Sequence, residues 1–193
     1  MRKMLIVLVA LALACAAAPV IAGTPGRFVQ YPDISGTTIV FNWEHDLWMV
    51  PASGGMATRL TTHPGGENVP KFSPDGKQIV FSGQYEGPNL YVIPATGGAP
   101  SRVTYTGAGL QAVAWTPDGS RIVFRSGHEN TFRPIVKLYT VPVGGGLPEA
   151  MPMDRGILCS YSPDGTKLAY NRRGNEEYYW KRYKGGQYTD IWL

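Results

Sequence analysis

The chain has 193 residues, 18 basic and 14 acidic side chains, and a formal charge of +4. That length can bury a sizeable core, and a charge so near neutral argues against a nucleic-acid partner. The 24 glycines and 16 prolines interrupt the chain too often for long helices, which excludes helical architectures.

At the N-terminus, Met1-Arg2-Lys3 is a basic start, residues 4–14 form an apolar run, and alanine-rich sequence continues to Val20-Ile21-Ala22. This reads as a secretory signal peptide over 1–22, cleaved after Ala22. The apolar run is shorter than the ~20 residues of a membrane span. A rival reading is a lipid anchor on Cys15, although Ala12-Leu13-Ala14 fits a lipobox poorly. Cleavage leaves 171 residues, removes Arg2 and Lys3, and lowers the formal charge to +2. Cys159 is then alone and cannot form an internal disulfide. It stands beside Ser160-Tyr161 at the start of a strand, where a buried, inert thiol is expected.

From residue 31 a repeat takes over. A degenerate copy, Tyr31-Pro32-Asp33-Ile34-Ser35-Gly36 with Ile39-Val40-Phe41, precedes Phe72-Ser73-Pro74-Asp75-Gly76 with Ile79-Val80-Phe81. Trp115-Thr116-Pro117-Asp118-Gly119 with Ile122-Val123-Phe124 follows, then Tyr161-Ser162-Pro163-Asp164-Gly165 with Leu168-Ala169-Tyr170. The aspartates step by 43 and 46 residues, a spacing typical of propeller blades. Proline presets φ, aspartate caps backbone N–H groups and glycine supplies positive φ, so each motif predicts a tight turn between two strands.

The second half of each unit is as regular. Asp46-Leu47-Trp48-Met49-Val50-Pro51 precedes Gly54-Gly55, Asn89-Leu90-Tyr91-Val92-Ile93-Pro94 precedes Gly97-Gly98, and Lys137-Leu138-Tyr139-Thr140-Val141-Pro142 precedes Gly144-Gly145-Gly146. Each predicts a hairpin around the glycines. Four short antiparallel strands make one blade. The expectation is an all-β protein: a β-propeller over 23–193, with blades near 28–62, 69–105, 112–152 and 158–193. About three and a half to four blades form an incomplete ring.

Catalytic signatures are scarce. Turn duty accounts for the repeated aspartates. The glycine pairs open strands rather than helices, unlike a phosphate loop. No Gly-x-Ser-x-Gly elbow occurs. His45, His63 and His128 lack metal-ligand spacing, so no metal or cofactor is expected. His63 in His63-Pro64-Gly65-Gly66 is expected to be solvated or bonded within its loop. Trp43, Trp48, Trp115, Tyr91 and Tyr139 are expected to pack between blades, and Thr61 and Thr104 to hydrogen-bond within them.

The fourth unit carries an insertion, residues 172–188, that is basic and aromatic. Loops on rigid scaffolds often carry function. Arg172, Arg173, Trp180, Lys181, Arg182 and Lys184 are the candidate binding residues, suited to peptide carboxylates or a partner surface. The plainer reading is a solvated loop whose aromatics cover the blade edge. Single-stranded nucleic acid could use the same chemistry, but weak charge and export argue against it.

The opening Tyr31-Pro32-Asp33-Ile34-Ser35-Gly36 with Asp46-Leu47-Trp48 resembles the first blade of tricorn-type peptidases. The run Trp180-Lys181-Arg182-Tyr183-Lys184-Gly185-Gly186 with Ile191-Trp192 resembles their fourth-blade insertion. The resemblance covers 27–193. It implies a six-bladed propeller at the front of a longer chain, followed by a seven-bladed one and a PDZ domain flanked by catalytic domains. The nucleophilic serine and its histidine lie far towards the C-terminus, so no catalytic residue falls here. The first propeller would guide peptides. Archaeal members hold peptide C-termini with paired arginines before the third blade, whereas Tyr105-Thr106-Gly107-Ala108-Gly109-Leu110-Gln111 has none.

The expected function is therefore peptide handling or gating in an exported, periplasmic or extracellular tricorn-like serine peptidase. Its partners would be oligopeptides, the remaining domains of the same chain and, where it assembles, further copies. Cytoplasmic residence would match archaeal members. The alternative is a non-enzymatic TolB-like binding propeller of the cell envelope. Because the chain stops inside Ile191-Trp192-Leu193, a longer parent protein is expected, and 23–193 alone is expected to self-associate.

Overall fold

A computed structural model of the chain describes residues 28–127, 135–172 and 190–193. Their regular structure is fifteen β-strands in four antiparallel sheets. The first sheet is β1 (Gln30–Ser35), β2 (Thr38–Trp43), β3 (Asp46–Pro51) and β4 (Thr58–Arg59). The second is β5 (Glu67–Phe72), β6 (Gln78–Gly83), β7 (Asn89–Pro94) and β8 (Ser101–Arg102). The third is β9 (Leu110–Trp115), β10 (Arg121–Ser126), β11 (Lys137–Pro142) and β12 (Glu149–Ala150). Among the described residues the fourth holds β13 (Leu158–Tyr161), β14 (Leu168–Asn171) and β15 (Ile191–Trp192). Strand order follows chain order in each sheet, as in propeller blades.

Alternation of side chains along each strand builds the interfaces between blades. On β6 and β7, Ile79, Phe81, Tyr91 and Ile93 join Val40 and Leu47 of the first blade. Their neighbours Val80, Leu90 and Val92 turn the other way, onto Ile122, Phe124, Tyr139 and Val141 of the third. Val123 and Leu138 repeat the step towards Cys159, Tyr161 and Tyr170 of the fourth. A middle blade thus has both faces buried, so β6 and β7 read as continuous apolar runs. Each fully buried side chain, such as Phe81 or Leu90, contributes about 1.5–3 kcal/mol.

The three Pro-Asp-Gly turns form as expected. Gly76, Gly119 and Gly165 have φ of 70°, 69° and 69°. Asp75 Oδ1 accepts from Ser73 Oγ at 2.7 Å and Lys77 N at 3.1 Å, and Asp118 and Asp164 repeat this with Thr116 and Ser120 and with Ser162 and Thr166. The hydroxyls of Thr116 and Ser120 hold the Asp118 carboxyl down at about 2. The degenerate first copy differs. Aligning Ile39 with Ile79 places Ser35-Gly36 in the turn, two residues after Asp33. Asp33 lies in β1 and reaches the second blade, where Oδ2 accepts from Phe72 N at 2.7 Å.

This topology gives the propeller two unlike ends. One carries the Pro-Asp-Gly and Gly-Gly turns. The other carries the longer connections between blades, β4–β5, β8–β9 and β12–β13, the shorter β2–β3 and β6–β7 connections, and both ends of the insertion between β14 and β15.

Candidate functional site at the long-loop end

Two groups of side chains organise the long-loop end. The first lies where blades one and two meet. Glu67, the first residue of β5, is fully buried. Its backbone N–H donates to His45 O at 2.7 Å, and Asn42 Nδ2 donates to its carbonyl at 2.5 Å. Its carboxylate accepts from Thr61 Oγ1 at 2.8 Å and Tyr85 Oη at 2.6 Å. Thr61 Oγ1 in turn accepts from Leu47 N at 2.9 Å. Asp46 pairs with Arg59 at 2.6 Å. His63 Nδ1 accepts from Gly65 N at 2.9 Å, and its ring lies on Tyr85 with centroids 3.7 Å apart.

Glu67 therefore clasps one blade to the next. Burial pushes its carboxyl above the ordinary range, and donation from Tyr85 and Thr61 draws it partway back. Burial and the adjacent Glu67 push the Tyr85 hydroxyl up as well, so it stays a donor. Neither residue was singled out from sequence. In the repeat frame Leu110 and Gly156 of the third and fourth blades stand where Glu67 stands, so the acid itself can be noticed in the sequence but its partners cannot.

One blade on, only part of the arrangement recurs. Thr104 Oγ1 accepts from Leu90 N at 2.9 Å and donates to Asn89 Oδ1 at 3.2 Å. Beside it Arg102 bonds Glu86 at 2.6 Å and lies 4.3 Å from the centre of the Tyr105 ring. The Tyr105–Gln111 stretch, which has no arginine of its own, is thus flanked by one already paired.

The second group is at the fourth blade. Of the candidate binding residues, Arg172 is described, and Arg173, Trp180, Lys181, Arg182 and Lys184 lie outside the described residues. Arg172 follows β14 directly and pairs with Asp154 in the preceding connection. Its guanidinium also lies 5.2 Å from the centre of the Trp192 ring. Trp192 and Ile191 pair with Tyr170 and Asn171. Arg172 therefore grips both feet of the insertion, and much of its charge is committed locally.

The remaining candidates fall into place around these groups. Tyr91, Tyr139 and Trp115 pack between blades, and Trp115 Nε1 donates to Lys71 O at 2.9 Å across an interface. Trp43 and Trp48, expected between blades, instead meet each other edge-on at 5.1 Å within the first blade. Cys159 is packed against the third blade, and burial pushes its thiol up to about 12. Among the described residues no group of three or more His, Cys, Asp or Glu could hold a metal ion, and no helix is long and apolar enough to cross a membrane. His128 and residues 1–22 lie outside the described residues.

Blades of this strand order, with Pro-Asp-Gly turns between their first two strands and the connections between blades at the opposite end, define a β-propeller of the kind found in tricorn and TolB proteins. The comparisons make the family specific. Residues 26–193 match the tricorn protease N-terminal beta propeller domain, and the chain belongs to that family. It is 29% identical over 167 residues to tricorn protease homolog 1 of Streptomyces coelicolor, covering 86% of this chain and 16% of that protein. The crystal structure of the tricorn protease superposes with a TM-score of 0.70 at 24% identity, over 85% of this chain and 17% of that one. A putative TolB from Agrobacterium tumefaciens superposes at 0.66 with 23% identity, over 77% and 55%. At these identities the two superpositions speak for the fold.

Proposed function

We propose that this propeller receives oligopeptides at its long-loop end, as the substrate-handling front of an exported tricorn-like serine peptidase. The observation that carries the proposal is Arg172. It fastens the base of a basic, aromatic insertion to the fourth blade at the end that carries the connections between blades. A cationic loop on a fixed foot suits the carboxylate of a peptide C-terminus. Membership of the tricorn N-terminal propeller family supports a peptidase parent, and the Streptomyces coelicolor relative, of which this chain spans 16%, is named as a protease homolog. Residues 1–22 support export, through the basic start, apolar run and small-residue site.

The test uses the protein as its locus encodes it. Replacing Arg172, Arg173, Lys181, Arg182 and Lys184 with serine is expected to raise KM for peptides with a free C-terminus at least tenfold, leaving kcat within twofold. Unchanged kinetics would leave the insertion a solvated edge cover. A locus without a serine- and histidine-bearing domain would remove the peptidase reading and leave a TolB-like binding propeller. N-terminal sequencing of the secreted protein should begin at Gly23, and an intact Met1 would overturn export.

A further inference from the structure

The outer flank of the interface between blades one and two holds an open groove of about 460 Å³ that runs from the tight turns to Arg59, the partner of Asp46. Thr38, Met49, Arg59 and Leu60 of the first blade and Ala95 of the second line it. The neighbouring interface shows why it is open. In the repeat frame Val92 follows Met49, Val103 follows Leu60 and Val143 follows Ala95. Val92 and Val103 are buried in the second interface and Val143 packs onto it. At the first interface Met49, Leu60 and Ala95 are only partly buried, and Ala95 is smaller than the Val143 that follows it in the repeat.

The walls are mostly apolar, with threonine hydroxyls at the rim and one charged side chain, Arg59. Its Nη2 meets Asp46 at 2.6 Å, yet the side chain is 43% exposed. A guanidinium has five N–H donors, enough for a second carboxylate. Arg59 lies on β4, a two-residue exposed outer strand whose open edge runs beside the groove. An open edge next to apolar space with a few polar groups suits an extended peptide.

We propose that this groove docks an extended, acidic-apolar segment of a partner protein. An apolar side chain enters the space between Met49, Leu60 and Ala95, and a neighbouring carboxylate meets Arg59. The site is distinct from the proposed C-terminal recognition at the loop end, because it reads internal side chains.

The test uses the full chain and fluorescein-labelled nonapeptides of alternating leucine and aspartate, amidated at the C-terminus so that no terminal carboxylate contributes. Anisotropy is expected to show saturable binding that weakens at least tenfold when lysine replaces aspartate or serine replaces leucine. The double variant Thr38→Gln and Ala95→Val, which enlarges two side chains lining the groove, should weaken it equally. Amide shift changes on the wild-type chain should centre on Thr38, 58–60 and 95–97, a readout that does not depend on the variant folding. No saturable binding, equal binding of the lysine peptide, an unaffected double variant or shifts elsewhere would each overturn the groove. None of these results bears on peptides with free C-termini at the loop end.

Discussion

Tyr85→Phe tests the clasp around Glu67 with the removal of one oxygen. The ring keeps its contacts with His63, Phe81 and Tyr91, so packing is nearly unchanged. What disappears is a 2.6 Å donor to a fully buried carboxylate, leaving Thr61 as its remaining side-chain donor. A hydrogen bond to a charged group contributes about 1.5–3 kcal/mol and a neutral one about 1 kcal/mol. The cost should therefore depend on pH. Burial raises the Glu67 pKa in the folded chain, so its stabilising contribution is complete below the ordinary value of 4.5 and is lost as pH rises through the folded value. Removing Tyr85 Oη takes away a group that lowers that value, so the loss deepens. Urea unfolding at pH 8 should show the substitution costing about 1.5–3 kcal/mol, falling to about 1 kcal/mol near pH 4. In a Glu67→Gln background the same substitution should cost about 1 kcal/mol at both pH values. A cost that is independent of pH with Glu67 in place would refute a buried carboxylate held by Tyr85.

Phe124→Ala removes a fully buried ring that stacks on Tyr139 at 5.5 Å; urea unfolding should show a loss of about 3–5 kcal/mol, and a loss near 1 kcal/mol would mean that the second interface is loosely packed. Gly76→Ala meets both a φ of 70° and the Ser35 side chain, whereas Gly36→Ala meets a φ of 54° and open space. Thermal unfolding should rank Gly76→Ala lower in stability by roughly 1 kcal/mol or more, and equal values would show that the turns do not touch. Cys159, with its thiol pushed up to about 12, should alkylate at pH 8 at least a hundredfold more slowly than a free thiol and at the ordinary rate in urea. Mass spectrometry at that residue reads the rate, and fast native labelling would place the thiol outside the interface.

The blade plan was legible because its turns and strands are local. Pro-Asp-Gly states its own dihedral angles, and Ile79-Val80-Phe81 states a strand buried on both sides. Asp33 was misleading for the same local reason, since Pro-Asp followed by Gly36 imitates the motif two residues out of frame. Its role emerges only when β1 lies against β5 and Phe72 N finds it. The clasp was illegible for a related cause. Thr61 lies 6 residues before Glu67 and Tyr85 18 after it, and nothing but their meeting in space pairs them. Arg172 could be picked from sequence as a cation beside an aromatic insertion. Its capture by Asp154 and Trp192 depends on two further segments converging.

The two ends of the propeller should also differ in how they tolerate change. At the tight-turn end the fit is periodic: Gly76 leans on Ser35, Gly119 on Pro74 and Gly165 on Pro117, so each turn rests against the turn before it. At the other end the ties differ from blade to blade: Glu67 to Tyr85, Arg102 to Glu86, Arg172 to Asp154. Lengthening one loop there disturbs one tie, whereas lengthening one turn disturbs two blades. Gly-Ser-Gly inserted after Gly107, which faces open space, should cost less than about 1 kcal/mol, the entropy of a slightly longer loop. The same insertion after Pro74 breaks the bonds that span it: Ser73 Oγ to Asp75, Gln78 N to Ser73 Oγ and the Gly76 N to Ser73 O bond of 2.8 Å. It also lifts the turn from the first blade. Two to three lost hydrogen bonds at about 1 kcal/mol each set a cost of roughly 2–3 kcal/mol before packing is counted. Urea midpoints measured side by side decide it. Equal costs would mean that the loop end is no freer to diversify than the turn end, and the physical reason for seeking recognition there would be gone.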